Sequence, residues 1–300
     1  MKPAPFRYER PTDLDTALQL LAADPDGARV LAGGQSLLAL MNMRLARPET
    51  LVDLNEIAEL QQIERRGDVL EIGALVRQRV AERNPDVRAA LPLLVEAIEL
   101  IGHATIRNRG TVGGSIAHAD PASELPAAAV ALDAELVVRS ASGTRTIPAA
   151  EFFTGPFSTA MEPGEVLVAV RFDLTRAPRR AAVVEHARRS GDFAVAGAVC
   201  GLDVGADGVV HSARVVGVGL DAYPRRASDV EATLAGGTAR AAAELDTDTL
   251  ATIEAAAAQL AARCAPTSDI HGSADYRRRV GAEMFRRAVR RCLTTPNGKE

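Results

Sequence analysis

Tryptophan is absent from this 300-residue sequence, and aromatic residues make up only 3% of it. The formal net charge at pH 7 is −4. Proteins that bind DNA or RNA present basic surfaces, and those that bind single strands add aromatic side chains on which the bases stack. The composition therefore predicts that no nucleic acid is a partner of this protein.

Cysteine is also scarce, because only Cys200, Cys264 and Cys292 occur and no two of them form a C-x-x-C pair. An iron–sulfur cluster needs four ligands, which are usually closely spaced thiolates, so we expect no cluster in this chain. No histidine has a partner at a ligand spacing, so no metal site is expected either. Unpaired thiols are typical of a reducing compartment, which favours a cytoplasmic protein.

Long apolar runs are missing as well. No segment reaches the ~18 consecutive apolar residues that a membrane span requires, and residues 1–11 lack the apolar region of a signal peptide. We therefore expect no membrane insertion. A content of 47% hydrophobic and 25% charged residues is typical of a folded globular protein, and the length predicts more than one domain.

Two Gly-Gly segments are the most informative features that are present. They are Ala32-Gly33-Gly34-Gln35-Ser36 and Thr111-Val112-Gly113-Gly114-Ser115. Glycine lets the backbone approach a ligand closely and turn its N–H groups inward, which suits a phosphate or pyrophosphate. The first segment lies between an apolar run that ends at Leu31 and a helical pattern that includes Leu37 and Leu38. It therefore predicts a strand, an anion-binding loop and a helix whose positive end faces the anion.

Neither segment matches the usual nucleotide motifs, G-x-G-x-x-G or G-x-x-x-x-G-K-[ST]. A cradle built from both segments is the better interpretation. Its backbone donors would tolerate changes in the side chains, and Gln35, Ser36, Thr111 and Ser115 could add side-chain donors.

Further motifs accompany the two segments in a fixed order. They are Val52-Asp53-Leu54, Ile106-Arg107-Asn108-Arg109-Gly110, His118-Ala119-Asp120-Pro121 and Glu124-Leu125-Pro126. With them, the sequence strongly resembles the FAD-binding medium subunit of the molybdenum hydroxylases, the xanthine dehydrogenase and aerobic carbon monoxide dehydrogenase family, over about residues 6 to 290. The resemblance implies an oxidoreductase that binds FAD.

The resemblance also implies the fold class, which is α+β. A two-lobed FAD-binding domain of the vanillyl-alcohol-oxidase/PCMH type would precede a small α+β C-terminal domain with a three-stranded sheet and helices. Proline and charge interrupt the periodicity at residues 175–180. We therefore expect the FAD-binding domain to span residues 1–176, with lobes of about 1–57 and 58–176, the C-terminal domain to span 177–293, and a tail to follow at 294–300.

Several element boundaries can be predicted from local signals. Thr12 is expected to cap the first helix, residues 87–101 are expected to form one apolar helix, and helices are expected from Ser228, Thr247 and Asp275. The last of these helices is rich in arginine, which indicates either a solvated basic face or a docking edge for an acidic partner. Its arginines are Arg277, Arg278, Arg279, Arg286, Arg287, Arg290 and Arg291.

The loops and the resemblance together predict which residues contact the cofactor. In the family, an acidic residue at the position of Glu124 hydrogen-bonds the cofactor, whereas Asp120 could be a ligand or a helix cap before Pro121. Phe193 matches an aromatic position that faces the flavin ring, although ordinary core packing is the alternative, and Leu167 matches a position that touches the cofactor. The complete set is Leu31, Ala32, Gly33, Gly34, Gln35, Ser36, Leu37, Leu38, Thr111, Val112, Gly113, Gly114, Ser115, Asp120, Glu124, Leu167 and Phe193.

The resemblance implies a function in electron transfer. Electrons would pass from the 2Fe-2S clusters of a small partner subunit through FAD to an external acceptor, while a large partner subunit would carry molybdopterin. A dimer of heterotrimers is the expected assembly. No catalytic side chain is needed, because the flavin carries the redox step. Two alternatives remain: a self-sufficient FAD-dependent reductase with the same cofactor fold, and a non-catalytic module that binds a phosphate-bearing ligand.

Overall fold

A computed structural model describes residues 2–294 of the chain. The first lobe contains a parallel three-stranded sheet in the order β1-β3-β2, together with two helices. Its elements are β1 (Arg7–Glu9), α1 (Leu14–Ala23), β2 (Ala28–Leu31), α2 (Leu37–Asn42) and β3 (Thr50–Asp53). Leu14, Leu18 and Leu21 lie one helical turn apart, so α1 buries this face against the sheet. The cap of α1 is Asp13, which accepts from the amide of Thr16 at 2.8 Å, and not Thr12 as expected.

The second lobe is built around an antiparallel five-stranded sheet in the order β4-β5-β10-β6-β7. The sheet strands are β4 (Ile63–Arg66), β5 (Val69–Gly73), β6 (Glu135–Ser140), β7 (Gly143–Pro148) and β10 (Val166–Asp173). A short pair, β8 (Phe153–Gly155) and β9 (Ser158–Thr159), stands apart from this sheet.

Helices cover one side of the five-stranded sheet and form the largest core of the molecule. The helices of this part are α3 (Gln78–Arg83), α4 (Pro85–Ala90), α5 (Pro92–Leu100), α6 (Ala104–Arg107), α7 (Val112–His118), α8 (Glu124–Ala131) and α9 (Ala149–Phe152), and all except the largely exposed α6 contribute to this core. Every residue of α8 is buried. The prediction of one helix over residues 87–101 was wrong, because α4 ends at Ala90 and α5 begins at Pro92. Proline has no N–H group, so it cannot donate the hydrogen bond that a continuous helix needs at an interior position.

The C-terminal part contains an antiparallel three-stranded sheet in the order β11-β12-β13 and three helices. These elements are β11 (Arg180–Ala187), β12 (Ala194–Val204), β13 (Val210–Val218), α10 (Ser228–Leu234), α11 (Thr247–Arg263) and α12 (Ala274–Thr294). The three helices begin within one residue of the predicted positions. Residues 295–300 of the predicted tail lie outside the described residues.

The three-stranded sheet is buried on both faces. Successive side chains of a strand point to opposite faces, so Cys200 and Leu202 of β12 pack against the C-terminal helices, whereas Val199 joins the core of the second lobe. Val216 and Val218 of β13 also join that core. The C-terminal sheet is therefore continuous in packing with the second lobe.

A cluster of charges also connects these two parts. Asp133, in the turn after α8, accepts from Arg226 at 3.0 Å, from Arg176 at 3.2 Å and from Arg214 at 3.3 Å. Arg176 lies between the two parts of the chain, and the other two arginines belong to the C-terminal part. The carboxylate of Asp133 thus forms ion pairs with three arginines where the second lobe meets the C-terminal part.

Within residues 2–294, no helix is long and apolar enough to cross a bilayer. The same range contains no group of histidine, cysteine and carboxylate side chains that could hold a metal ion.

Candidate FAD site

The first Gly-Gly segment is a loop between β2 and α2, as predicted. Gly34 has a positive φ of 73°, which favours glycine, and Ser36 already has helical angles. The first turn of α2 is closed by the amide of Leu38, which donates to the carbonyl of Gly34 at 3.2 Å. Among residues 2–294, no acceptor lies within hydrogen-bond distance of the backbone N–H groups of residues 33–37.

This row of N–H groups lies at the N-terminal end of a helix and is only partly buried. Consecutive donors of this kind, together with the helix dipole, form a site that favours an anion with several oxygens. A pyrophosphate fits this donor set, and the loop offers no carboxylate that would repel it.

The second Gly-Gly segment differs from the expected loop, because it forms the first turn of α7. Thr111 caps this helix, and its hydroxyl accepts from the amide of Gly114 at 3.0 Å. The amide of Val112 donates to the carbonyl of Val76 at 3.0 Å, and that of Gly113 donates to the carbonyl of Ala74 at 2.9 Å. The expectation that both segments offer free backbone donors was therefore wrong for the second one.

Close packing explains the glycines of the second segment instead. A Cβ atom on Gly113 would clash with the Cβ of Ala74 and would lie 2.6 Å from its Cα. A Cβ on Gly114 would lie 2.5 Å from the Thr111 hydroxyl and 3.3 Å from the Cβ of Ala32. The missing side chains thus let α7 approach both the end of β5 and the first segment.

The two segments do lie side by side, as the sequence predicts. A Cβ on Gly33 would clash with the carbonyl oxygen of Arg109 and would lie 2.9 Å from the Cα of Gly110. Gly114 faces Ala32 from the other direction. The first segment is therefore held directly against the residues that precede and begin α7.

A side-chain bridge between the segments was not predicted. The side-chain nitrogen Nδ2 of Asn55 donates to the carbonyl of Ala32 at 2.9 Å, and the side-chain oxygen of Asn55 accepts from Arg77 at 2.6 Å. Arg77 in turn donates to the carbonyl of Arg109 at 2.5 Å. Burial and the charge of Arg109 lower the pKa of Arg77. No sequence motif marks Asn55 or Arg77, because their roles depend on which loops the fold brings together.

Asp120 lies in the turn between α7 and α8. Its carboxylate accepts from the amide of Ala122 at 2.9 Å, while Ser123 is the residue that precedes the first turn of α8. Asp120 therefore shapes the turn, and the idea that it caps α8 was wrong. Next to it, the ring of His118 contacts that of Phe157 at a centroid distance of 5.2 Å. Burial lowers the pKa of His118.

Glu124 is the first residue of α8 and is only 4% exposed. Among residues 2–294, its carboxylate has no partner except its own backbone N–H. Burial and the nearby charge of Glu185 raise the pKa of Glu124 to about 8. Burial alone raises the pKa of Glu185, in β11, to about 7. Sequence analysis did not identify Glu185, since a single acid in a strand carries no motif.

Leu167 and Phe193 lie in different environments. Leu167 is buried in the main core, beside an irregularity in the pairing of β10 with β6. Phe193 precedes β12 and is 63% exposed, so it is not an ordinary core residue. The turn that carries Phe193 rests on the second lobe, because a Cβ on Gly191 would lie 2.6 Å from the His103 ring.

Comparison with known proteins agrees with this arrangement. The family described as "FAD binding domain in molybdopterin dehydrogenase" matches residues 4–173, and "CO dehydrogenase flavoprotein C-terminal domain" matches residues 181–292. The chain belongs to the FAD-binding medium subunits of the molybdenum hydroxylases. It is therefore an oxidoreductase flavoprotein with FAD as its cofactor, and the predicted family and α+β fold class are confirmed.

Relatives of this medium subunit extend over almost its entire length. The 6-hydroxypseudooxynicotine dehydrogenase complex subunit alpha of Paenarthrobacter nicotinovorans is 37% identical over 98% of this chain and 96% of its own. The carbon monoxide dehydrogenase structure from Hydrogenophaga pseudoflava superposes with a TM-score of 0.90 at 36% identity, covering 97% of this chain and 98% of that one. Quinoline 2-oxidoreductase from Pseudomonas putida 86 gives a TM-score of 0.90 at 34% identity, covering 98% of each chain.

Most of the arginines of α12 are engaged within this medium subunit. Arg277 is buried and donates to the carboxylate of Asp269 at 2.7 Å and to the carbonyl of Val195 at 2.6 Å. The other pairs join Arg278 to Asp275, Arg286 to Glu254, Arg287 to Glu283 and Arg291 to Glu96. Much of the predicted basic face is thus neutralised by acids of the same chain.

Proposed function

We propose that this protein is the electron-transfer subunit of a molybdopterin-dependent hydroxylase complex. The observation that carries the proposal is the row of unpartnered N–H groups at residues 33–37, in a chain that matches medium subunits over almost its full length. When bound, FAD would supply the exchange of electrons between the iron–sulfur clusters of a partner and an external acceptor.

The first loop would bind the pyrophosphate of FAD through its backbone donors. Leu31, Ala32, Leu37 and Leu38 would support this loop, and the side chains of Gln35 and Ser36 would add polar contacts. The second segment would form the facing wall. Thr111, Val112 and Gly113 would position it, while Gly114 and Ser115 are partly exposed and would lie nearest the cofactor.

The remaining predicted contacts would surround the rest of FAD. Glu124 would offer a buried carboxyl group, and Asp120 would hold the turn beside it. Leu167 would support the cofactor from the core. The exposed ring of Phe193 would face the flavin from the C-terminal part.

Partner subunits would supply the other cofactors. All three cysteines are unpaired and buried, and residues 2–294 hold no metal-ligand group. A small subunit would therefore carry the 2Fe-2S clusters and a large subunit the molybdopterin, as a dimer of heterotrimers. Unpaired thiols fit the cytoplasm. We also propose the domain division at residue 176, with the C-terminal domain ending at 293.

Reconstitution tests this function directly. The full chain is expressed alone, loaded with FAD and mixed with candidate aldehyde or heteroaromatic substrates, before and after the small and large subunits are added. We expect flavin reduction only in the assembled complex. Reduction by the isolated chain would contradict the proposal and favour a self-sufficient reductase. Failure to bind FAD while inorganic pyrophosphate binds would favour a phosphate-binding module.

A further inference from the structure

We propose that Asp53 is a positioning residue of the first loop. Its carboxylate orients the side chain of Asn55, and Asn55 in turn holds the loop in the shape that binds the pyrophosphate of FAD. The proposal rests on the proposed function, because it assumes that the N–H groups of residues 33–37 bind this pyrophosphate. Asp53 is not among the cofactor contacts that the sequence predicts.

Asp53 lies at the start of the first loop in space, although 20 residues or so separate the two in sequence. It is the last residue of β3, the central strand of the parallel sheet of the first lobe. Asp53 is paired with Leu31, the last residue of β2, so both strands end at the same edge of the sheet. The first loop begins immediately after Leu31. Since only 6% of Asp53 is exposed, its carboxylate is largely removed from water at this edge.

Two residues donate hydrogen bonds to the Asp53 carboxylate. The hydroxyl of Tyr8, in β1, donates to Oδ2 at 2.5 Å. Oδ1 accepts from the backbone N–H of Asn55 at 2.9 Å and also from the side-chain Nδ2 atom of Asn55. A buried carboxylate needs such donors, because burial costs it the hydrogen bonds to water. One oxygen of Asp53 is therefore occupied by Asn55 alone.

These contacts determine which way the Asn55 amide points. Its Nδ2 group has two hydrogens, and it donates to two acceptors, the Asp53 carboxylate and the carbonyl of Ala32. At the other end of the amide, Oδ1 accepts from the guanidinium of Arg77. If the amide were reversed, its oxygen would face two acceptors and its NH2 group would face a cation. Asp53 therefore favours the orientation in which Asn55 donates to Ala32.

The oriented amide holds carbonyl groups on both sides of the first loop. Asn55 binds the carbonyl of Ala32, at the start of the loop, and Arg77 binds the carbonyl of Arg109, against which the loop packs. A carbonyl oxygen that turned toward a phosphate would repel it, because both carry negative charge. With these two carbonyls bound within the chain, the N–H groups of residues 33–37 are the polar backbone groups that the loop presents to an anion.

The negative charge of Asp53 is balanced by a nearby cation. Burial and the charge of Arg109 lower the pKa of Arg77, whereas the attraction of Asp53 acts in the opposite direction. Arg77 thus lies between a negative and a positive side chain, and it also donates to the Asn55 amide at 2.6 Å. Because Arg77 compensates its charge, Asp53 can orient Asn55 without making the loop unfavourable for an anion.

The amide signals of residues 33–37 test the positioning in the full-length chain without cofactor. In nitrogen-15 NMR spectra, Asp53→Ala should shift these signals, because Asn55 loses the acceptor that orients it. Asp53→Asn should leave them nearly in place, since its side-chain oxygen can still accept from Asn55. Asp173→Ala is the matched control, because Asp173 accepts from the backbone N–H and the side chain of Thr175 in the same way, but at the exposed end of β10.

FAD affinity gives a second measurement, arranged as a double-mutant cycle with Asn55→Leu. Fluorescence quenching should show that Asp53→Ala binds FAD about fivefold more weakly than the unmodified chain, whereas Asp53→Asn changes the affinity less than about twofold. In the Asn55→Leu background, Asp53→Ala should weaken binding less than about twofold, because no amide remains to be oriented. Phosphorus NMR of bound FAD should show shifted pyrophosphate signals in Asp53→Ala but not in Asp173→Ala. Urea denaturation identifies conditions in which each variant is fully folded.

Several results would overturn the inference. Equal losses of FAD affinity from Asp53→Ala with and without Asn55→Leu would make Asp53 independent of Asn55, and tighter binding by Asp53→Ala would mean that its charge only repels the cofactor. Unshifted amide signals in Asp53→Ala, or a large loss of FAD affinity in folded Asp53→Asn, would also contradict it; the second of these decides the matter if Asp53→Ala does not fold. Absence of FAD binding by the unmodified chain would instead contradict the proposed function, while the amide signals would still show whether Asp53 positions the loop.

Discussion

The two segments share a Gly-Gly pair but have opposite hydrogen-bonding states. The amides of residues 33–37 have no acceptor within residues 2–294, whereas those of Val112, Gly113 and Gly114 all donate to oxygens of the chain. The first segment therefore offers donors to a ligand. The second uses glycine to bring a helix against Ala74 and Ala32.

This difference shows that a glycine pair does not by itself define an anion site. Glycine has no Cβ, and this property serves both an exposed backbone and a tightly packed one. The residue two positions before each pair helps to distinguish the two cases. Thr111 can cap a helix and satisfy an amide, whereas Leu31 at the same position has no polar side-chain atom that could do so.

The largest expected effect is that of Gly113→Val. The new side chain would clash with the backbone of Ala74, which cannot move without disturbing the end of β5, so stability should fall by about 3 kcal/mol or more. Urea denaturation of the cofactor-free chain measures this loss. Gly155→Val is the control, because a Cβ there meets only Ser158 at 3.8 Å. Unchanged stability would mean that α7 does not depend on this close approach.

Gly33→Ala should be less destabilising but should affect FAD more directly. Its methyl group would push the first loop away from the carbonyl of Arg109 and misalign the donor row. We expect FAD to bind about 100-fold more weakly, equivalent to about 2.7 kcal/mol. Fluorescence titration with FAD measures the effect, and Gly155→Ala is the control. FAD bound with normal affinity by Gly33→Ala would contradict the assignment of the first loop as the pyrophosphate site.

Asn55→Leu removes the bridge between the segments. The carbonyl of Ala32 and the guanidinium of Arg77 would each lose a partner, at a cost of about 1–2 kcal/mol. FAD should bind about tenfold more weakly, because the two segments would no longer be held together. Asn108→Leu is the control, since this exposed asparagine makes no side-chain hydrogen bond among the described residues. An equal loss of FAD affinity in both variants would show that the hydrogen bonds of Asn55 do not contribute to FAD binding.

The smallest expected effect is that of Thr111→Val. Loss of the cap should reduce stability by about 1 kcal/mol. FAD affinity should change less than about threefold, because the first segment supplies the backbone donors. The control for denaturation and FAD titration is Thr252→Val, because Thr252 is half-buried in α11 and its hydroxyl donates only to the carbonyl of Asp248. A large loss of FAD affinity at normal stability would show that the second segment binds the cofactor through Thr111.

Local patterns predict the parts of the fold that depend on neighbours in sequence. The strand before Gly33, the helix after Ser36 and the helix starts at Ser228 and Thr247 follow from apolar periodicity and capping residues. The break before α5 also has a signal in the sequence, which is Pro92 itself. The prediction of one helix gave more weight to the apolar run over residues 87–101.

The rest of the site depends on tertiary geometry. Asn55 and Arg77 have their role because two loops meet at Ala32 and Arg109, and nothing near either residue in sequence indicates that meeting. The sequence therefore predicts the loop between β2 and α2, but it does not predict the side chains that hold this loop in place.

The apolar core that continues from the second lobe into the C-terminal sheet has a consequence for how the chain folds. Val199, Val216 and Val218 contribute to the same cluster as the fully buried helix α8. Since each part would expose this surface if separated, neither has a complete interior of its own. We expect a single cooperative melting transition for the whole chain, and a strong tendency of either part to aggregate when it is expressed without the other.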